Sequence, residues 1–155
     1  MADPTSGAVV DANIFIDFAE VSMLNRLGEA GLGLLTTDII VAELAAPNPK
    51  ELTVIGVRVS SLEPAQVVRL LEVRSLYPAP SLADLSALVL AESLDAQLLT
   101  GDKHLREAAL DIRIEAHGTI WIFERLVALG SMTEQEVKAA HGEMLSKGRR
   151  LPPLL

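Results

Sequence analysis

The feature that most constrains the fold of this chain is the alternation of short apolar segments with helical ones. Residues 8–11, 32–36 and 97–100 are predicted to be buried strands, and residues 52–59 and 113–115 to be two further strands. Helices are predicted at 14–18, 23–29, 38–46, from Pro64 to the break at 77–80, 82–94, 103–110, 119–129 and 133–145. This order, with short connections, is typical of an α/β domain with a mainly parallel sheet.

Composition narrows the class of protein further. The 155 residues are half hydrophobic and contain no cysteine, so we expect one stable domain over residues 1–155 without disulfides or thiol chemistry. The three histidines lack the spacing of a zinc hydrolase. No apolar run reaches the ~18 residues of a membrane span, and residues 1–7 do not resemble a signal peptide. A soluble, cytoplasmic protein without a membrane partner is the expectation.

The formal net charge of −8 is unevenly distributed. Residues 1–102 hold 14 acids against 5 Lys and Arg, whereas residues 103–155 hold 7 acids against 8. A protein of this charge should bind polyanions weakly through its overall field, so contact with nucleic acid would need metal ions and a local basic rim. The basic side chains available for a rim are Lys103, His104, Arg106, Lys147, Arg149 and Arg150. An ordinary solvated surface is the alternative interpretation of both clusters.

Four acidic residues border or interrupt apolar segments: Asp11, Glu43, Asp84 and Asp102. An ionised carboxylate near a core is costly unless it is paired, hydrogen-bonded or bound to a metal. Asp11 and Asp102 follow predicted strands, and Asp84 lies in the first turn of a predicted helix. In a parallel sheet the carboxyl ends of the strands form the binding crevice. If the four side chains converge there, they make an all-oxygen site for a hard cation.

Each acid also has a structural interpretation. Asp84 fits a capping box with Ser81, Asp102 fits a helix N-cap, and Asp11 fits a turn at a strand end. Glu43 is harder to explain in this way, because it is the only charged residue after the first position of an apolar helix. Such a helix is normally buried, so Glu43 is predicted to be a buried carboxylate that needs a partner.

Two polar residues near these acids are candidates for supporting roles. Asn13 could orient a carboxylate or a water through its amide, and Thr100 could do the same through its hydroxyl; ordinary turn residues are the alternative. The remaining acids near the motifs are assigned mainly to solvated faces, with Asp17 also considered as an extra wall of the site. They are Asp17, Glu20, Glu92 and Asp95.

Four segments resemble, in order, the acidic motifs of PIN-domain nucleases. They are VVDANIFID at 9–17, TTDIIVAEL at 36–44, SLADLSALVLA at 81–91 and LLTGDKHL at 98–105. The motif-bearing core spans residues 8–110. Residues 118–147 resemble, less specifically, the C-terminal helices of some PIN proteins.

The resemblance implies a three-layer α/β/α sandwich around the sheet and metal-dependent ribonuclease activity. Asp11, Glu43, Asp84 and Asp102 would be catalytic, and the three aspartates would bind one or two Mg²⁺ or Mn²⁺ ions. Glu43 would hold or deprotonate the attacking water. The resemblance further implies a VapC-type toxin that acts on RNA, pairs with a small antitoxin and forms a homodimer. The acidity and the scarcity of aromatic residues depart from a typical toxin.

Two other functions are retained. The segment Asp11-Ala12-Asn13 also resembles the motif of haloacid-dehalogenase phosphatases, although that family has a second aspartate where Asn13 stands. The other alternative is a PIN-fold protein that acts mainly by binding a partner, with weak or no nuclease activity. Separately, the apolar tail at residues 151–155 is a candidate contact for a partner or a second subunit, although a disordered end fits it equally well.

Overall fold

The computed structural model describes residues 7–154, and its centre is a parallel sheet of five strands in the order β3-β2-β1-β4-β5. The strands are β1 (Gly7–Val10), β2 (Gly33–Thr37), β3 (Arg58–Ser60), β4 (Gln97–Leu99) and β5 (Ala116–His117). Every pairing is parallel, which confirms the predicted sheet.

Nine helices lie within the described residues, and they cover both faces of the sheet. They are α1 (Ala12–Glu20), α2 (Leu24–Leu27), α3 (Asp38–Glu43), α4 (Pro49–Val54), α5 (Pro64–Leu76), α6 (Leu82–Leu94), α7 (Lys103–Asp111), α8 (Thr119–Ala128) and α9 (Glu134–Ser146). The three-layer α/β/α architecture is therefore present. No helix in this part of the chain is both long and apolar enough to cross a membrane.

The two faces of the sheet belong to two hydrophobic cores. Ala8 and Val10 pack into the core formed mainly with α1, α8 and α9, whereas Val9 packs into the core formed with α5, α6 and α7. Because successive side chains of a strand point to opposite faces, one short strand contributes to both cores. This double burial explains why β1 is a continuous apolar run, as parallel strands usually are.

The predicted strand at residues 52–59 is wrong over most of its length. The chain forms α4 instead, and only Arg58–Ser60 pairs as β3. Asn48 and Glu51 form a complete capping box around Pro49, the first helical residue. This cap starts the helix despite the β-branched residues that follow, because it satisfies backbone donors that a strand would leave to pairing.

Two other boundaries differ from the prediction. Helix α3 ends at Glu43 rather than at residue 46. The last strand is Ala116–His117 rather than residues 113–115. Arg113 has a positive φ of 65°, and the Ile114 N–H returns to the Ala109 carbonyl, so these residues close α7 and do not extend a strand.

The C-terminal segment packs back onto α1. Arg149 Nε donates to Asp17 Oδ1 at 2.7 Å, and the Thr119 hydroxyl donates to Asp17 Oδ2 at 2.8 Å. Asp17 is 3% exposed, so its assignment to a solvated face was wrong. Leu151 and Leu154 pack against the first core, while residues 1–6 and 155 lie outside the described residues.

Candidate active site at the carboxyl edge of the sheet

Asp11 stands at the carboxyl end of β1, where its side chain is almost entirely enclosed. It is 1% exposed and caps α1 by accepting the Ala12 N–H at Oδ1 over 2.8 Å. The buried Thr100 hydroxyl donates to Oδ2 at 2.7 Å. Both oxygens therefore have a donor, but neither donor carries a charge.

The environment of Asp11 favours the protonated carboxyl. Burial raises its pKa from 3.8 to about 7, and the charge of Asp84 beside it adds to the increase. The hydrogen bonds from Thr100 and Ala12 act in the opposite direction, because they favour the carboxylate. A cation placed beside both side chains would favour their ionised forms and so lower this pKa.

Asp84 serves as a cap and as the neighbour of Asp11 at the same time. Its Oδ2 accepts the Ser81 N–H at 3.0 Å, and the Ser81 hydroxyl accepts the Asp84 N–H at 3.0 Å. This capping box was one of the predicted interpretations. The capping role and the site role are therefore compatible, because the cap uses Oδ2 and fixes the side chain where its charge acts on Asp11.

Thr100 links the loops that carry Asp11 and Asp102. Its hydroxyl donates to Asp11 Oδ2 and accepts the Asp102 N–H at 3.1 Å. Asn13 makes a second link, because its Oδ1 accepts the Gly101 N–H at 3.2 Å. Both predicted supporting residues thus lie beside the acids. Thr100 is hydrogen-bonded to the Asp11 carboxylate, and Asn13 is hydrogen-bonded to the backbone of the loop that carries Asp102.

Asp102 and Glu43 take more open positions. Asp102 is half-buried and caps α7, with Oδ1 accepting the Leu105 N–H at 2.9 Å. Glu43 is exposed at the end of α3, so the prediction that it is buried was wrong. Only Ile40 of this short helix is fully enclosed, while Ile39 and Val41 pack against the two cores and remain partly exposed.

Within residues 7–154 no three acidic or histidine side chains form a group that could hold a metal ion. The structure brings Asp11 and Asp84 together, whereas Asp102 and Glu43 are separate from this pair. The candidate site therefore consists of the pair Asp11 and Asp84, with Asp102 on the loop between β4 and α7.

A buried pair of hydroxyls beside Asp84 was missed by the sequence reasoning. The Thr37 and Ser86 hydroxyls are 2.8 Å apart, and Ser86 also donates to the Ala83 carbonyl at 2.6 Å. Thr37 in turn caps α3 by accepting the Ile40 N–H. The signal was a polar serine inside the apolar run of α6, and the contact joins the start of α3 to α6.

Replacing Thr100 with valine should destabilise the protein. The substitution keeps the shape but leaves the Asp102 N–H and Asp11 Oδ2 without their buried partner, at a cost of about 1–3 kcal/mol. Urea denaturation measures the loss. Thr53→Val is the matched control, since that hydroxyl is exposed, and it should change the free energy of unfolding by less than about 0.5 kcal/mol. Equal effects of the two variants would contradict the linking role.

Comparisons with known proteins identify a family for this chain and a solved structure with a similar fold. The family model DUF3368, described as a PIN domain, matches residues 7–155. The crystal structure of PAE2754 from Pyrobaculum aerophilum is similar, with a TM-score of 0.55 and 18% sequence identity. The similarity covers 80% of this chain and 91% of that chain, and at this identity it shows the fold alone. No curated protein matches the sequence significantly.

Proposed function

The chain belongs to the PIN-domain family, whose members are generally nucleases, and we propose that it is a metal-dependent endoribonuclease that hydrolyses RNA phosphodiester bonds. The observation that carries the proposal is the pair formed by the enclosed Asp11 and the half-buried Asp84. Burial and the charge of Asp84 raise the pKa of Asp11, and Asp11 has only neutral hydrogen-bond donors. Paired carboxylates of this kind at a sheet's carboxyl edge are suited to a divalent cation.

The donor set fits Mg²⁺ or Mn²⁺. Both ions prefer oxygen ligands, and Mg²⁺ usually keeps several waters while one or two carboxylates hold it. Asp11 and Asp84 would be those carboxylates, and we assign Asp102 as a further ligand from the adjoining loop. When bound, such an ion lowers the pKa of a water and stabilises the charge on the scissile phosphate.

The other residues of the site would orient this centre and the attacking water. Thr100 holds Asp11 through its hydroxyl, and Asn13 holds the loop of Gly101 and Asp102. Glu43 is assigned to orienting and deprotonating the water.

The toxin of a toxin–antitoxin pair is the biological role that we propose for this ribonuclease, with a small antitoxin as its partner. The support is the order of the four acidic motifs, and a small open reading frame directly upstream, encoding a DNA-binding protein, would test it.

We also propose a homodimer. Four apolar side chains of α5 are exposed and could be buried by a second copy: Val67, Val68, Leu71 and Leu76. Sedimentation equilibrium tests this assembly, and a monomer at all concentrations would contradict it.

One observation favours a second candidate function. Glu43 and Asp102 do not join the carboxylate pair, and this arrangement would suit a PIN-fold protein that binds a partner and cleaves RNA weakly or not at all. The phosphatase alternative is set aside, because the family match identifies a PIN domain.

Cleavage of a single-stranded RNA with Mn²⁺ or with EDTA distinguishes the two functions. The wild type should cleave only with the metal, and Asp102→Asn should lower the rate at least about 100-fold, since a metal ligand is lost. Asparagine keeps the cap of α7, so the fold is retained. Asp95→Asn removes an exposed carboxylate at the end of α6 and should cleave normally. Metal-independent cleavage, or full activity of Asp102→Asn, would contradict the proposed centre.

A further inference from the structure

We propose that Arg106, assisted by Lys103, binds a phosphate of the RNA strand beside the carboxylates and so positions the strand for cleavage. The inference rests on the proposed function and extends it to substrate binding. Arg106 lies outside the acidic motifs, whereas Lys103 follows Asp102 within the last of them. Neither side chain is hydrogen-bonded to Asp11, so their role is separate from that of the carboxylate pair.

A groove of about 430 Å³ leads away from the site along α7. It begins at Gly101, the residue before Asp102, and continues between α7 and the outer edge of the sheet at β5. Lys103 and Arg106 line it near this beginning, and Leu110 and Ile114 line it further along. An RNA strand that passes the carboxylates can therefore continue into this groove, where it meets the basic side chains of Lys103 and Arg106.

The guanidinium of Arg106 lies close to the site itself. A Cβ built at Gly118 would be 3.6 Å from Arg106 Nη1 and 3.5 Å from the Thr100 carbonyl oxygen. Gly118 follows β5 and Thr100 follows β4, so the arginine crosses from α7 to the same carboxyl edge. Thr100 is also the residue whose hydroxyl holds Asp11. Arg106 and Asp11 thus both lie near Thr100, Arg106 on the side of Gly118 and Asp11 at the hydroxyl.

Most arginines bind another group of the protein, whereas the Arg106 side chain has no such partner among residues 7–154. Arg26, Arg69 and Arg149 bind acidic side chains, and Arg74 and Arg125 bind backbone carbonyls. Arg106 and Lys103 make no ion pair or side-chain hydrogen bond with any residue from 7 to 154. A guanidinium that has no structural partner keeps its planar set of donors available for a phosphate, which it can bind in a bidentate way.

Two acids in the same groove limit where the phosphate can lie. Glu107 is 3.9 Å from a ring nitrogen of His104, and Glu115 is 3.4 Å from one of His117. Each glutamate side chain remains substantially exposed, so its charge repels a phosphate placed beside it. The phosphate is therefore confined to the Gly101 end of the groove, next to Asp102.

Binding of a short, fluorescently labelled, single-stranded RNA of mixed sequence tests the inference. The measurements use the full chain carrying Asp102→Asn, so that the RNA stays intact. Arg106→Gln should raise Kd about tenfold and should reduce the slope of log Kd against log salt by about 0.7, the value for one phosphate contact on a single strand. Arg58→Gln is the matched control, because this exposed arginine lies at the start of β3 on the opposite edge of the sheet.

A second variant changes binding in the opposite direction. Glu107→Gln removes a repulsive charge from the groove and should lower Kd about twofold, which a merely unfolded protein could not do. In the protein with Asp102 intact, Arg106→Gln should raise KM and leave kcat nearly unchanged, since the arginine holds the strand and does not take part in bond breaking.

The failure of this inference differs from the failure of the proposed function. An Arg106→Gln variant with the Kd, salt slope and KM of the Arg58→Gln control would overturn the role of Arg106, even if the protein cleaves RNA. A wild type that binds the RNA through Arg106 but never cleaves it would refute the nuclease and leave the binding role in place. A wild type that does not bind the RNA would overturn the inference outright.

Discussion

Asp11→Asn is expected to stabilise the metal-free protein at about pH 8 and to abolish RNA cleavage. The substituted side chain could still bind both partners, since its carbonyl can accept the Ala12 N–H and its amide can donate to the Thr100 hydroxyl, which reverses the direction of the second hydrogen bond. It would remove the buried charge and the repulsion from Asp84 that raise the pKa of Asp11 to about 7. The substitution therefore relieves a cost to folding and removes a ligand from the proposed centre.

The sign of the pH dependence follows from the direction of the pKa shift. The folded state holds the Asp11 proton up to about pH 7, whereas the unfolded chain releases it near 3.8. The wild type should therefore lose stability as the pH rises between these values, by at most about 4 kcal/mol, and the loss should be complete above pH 7. Asp11→Asn should lack this loss, and the two proteins should differ little below about pH 4.

Urea denaturation in EDTA at several pH values measures this difference, with Asp95→Asn as a control for removing an exposed acid. Adding Mn²⁺ should reduce the stability advantage of Asp11→Asn over the wild type. At a metal concentration 100 times Kd, the wild type should gain about 2.7 kcal/mol, and Asp11→Asn should gain almost nothing. If Asp11→Asn follows the wild-type pH curve, the buried Asp11 carboxyl does not destabilise the fold. If it responds equally to Mn²⁺, Asp11 is not a ligand of the metal.

Arg149→Leu is expected to destabilise the protein by roughly 3 kcal/mol. Asp17 is 3% exposed and is neutralised by Arg149, with Thr119 as its second hydrogen-bond partner. Removing the arginine leaves a buried carboxylate without a counter-charge, which costs more than the loss of one hydrogen bond. The C-terminal segment should also pack less firmly on α1, because the ion pair is one of the contacts that join the two.

The adjacent Arg150 provides a matched control. It is exposed, and Arg150→Leu should change the free energy of unfolding by less than about 0.5 kcal/mol. The double variant Asp17→Leu, Arg149→Leu should be closer to the wild type than Arg149→Leu is, since an apolar pair needs no counter-charge. If the Arg149 and Arg150 variants unfold alike, or if the double variant is the least stable of all, the ion pair does not hold the C-terminal segment.

The arrangement of strands and helices was largely predictable from the sequence, because its signals are local. Buried strands were visible as apolar runs, and Ser81 and Thr133 marked helix starts through capping boxes that the structure contains. The prediction failed at residues 52–59, where β-branched residues favoured a strand. There the cap at Asn48 and the buried Leu52 outweighed the intrinsic preference of the other side chains.

The candidate site was predictable in its location and less so in its details. Asp11, Asp84 and Asp102 lie on the expected elements, since a parallel sheet places strand ends at one edge. Glu43 was expected to be buried because its neighbours are apolar, but it is the last residue of α3 and is exposed there. Exposure depends on how a helix lies against the sheet, and its own residues do not specify this.

The parallel α/β architecture, the helix caps and the order of the acidic motifs could be read from the sequence by itself, because the signal for each element or motif lies in residues only a few positions apart. Tertiary structure alone decided the charge state of Asp11 and the pairing of Asp17 with Arg149, 132 residues away. It also decided that Arg106 reaches the carboxyl edge beside Gly118. Burial and Coulomb interactions act through space, so these properties exist only once distant segments have packed together.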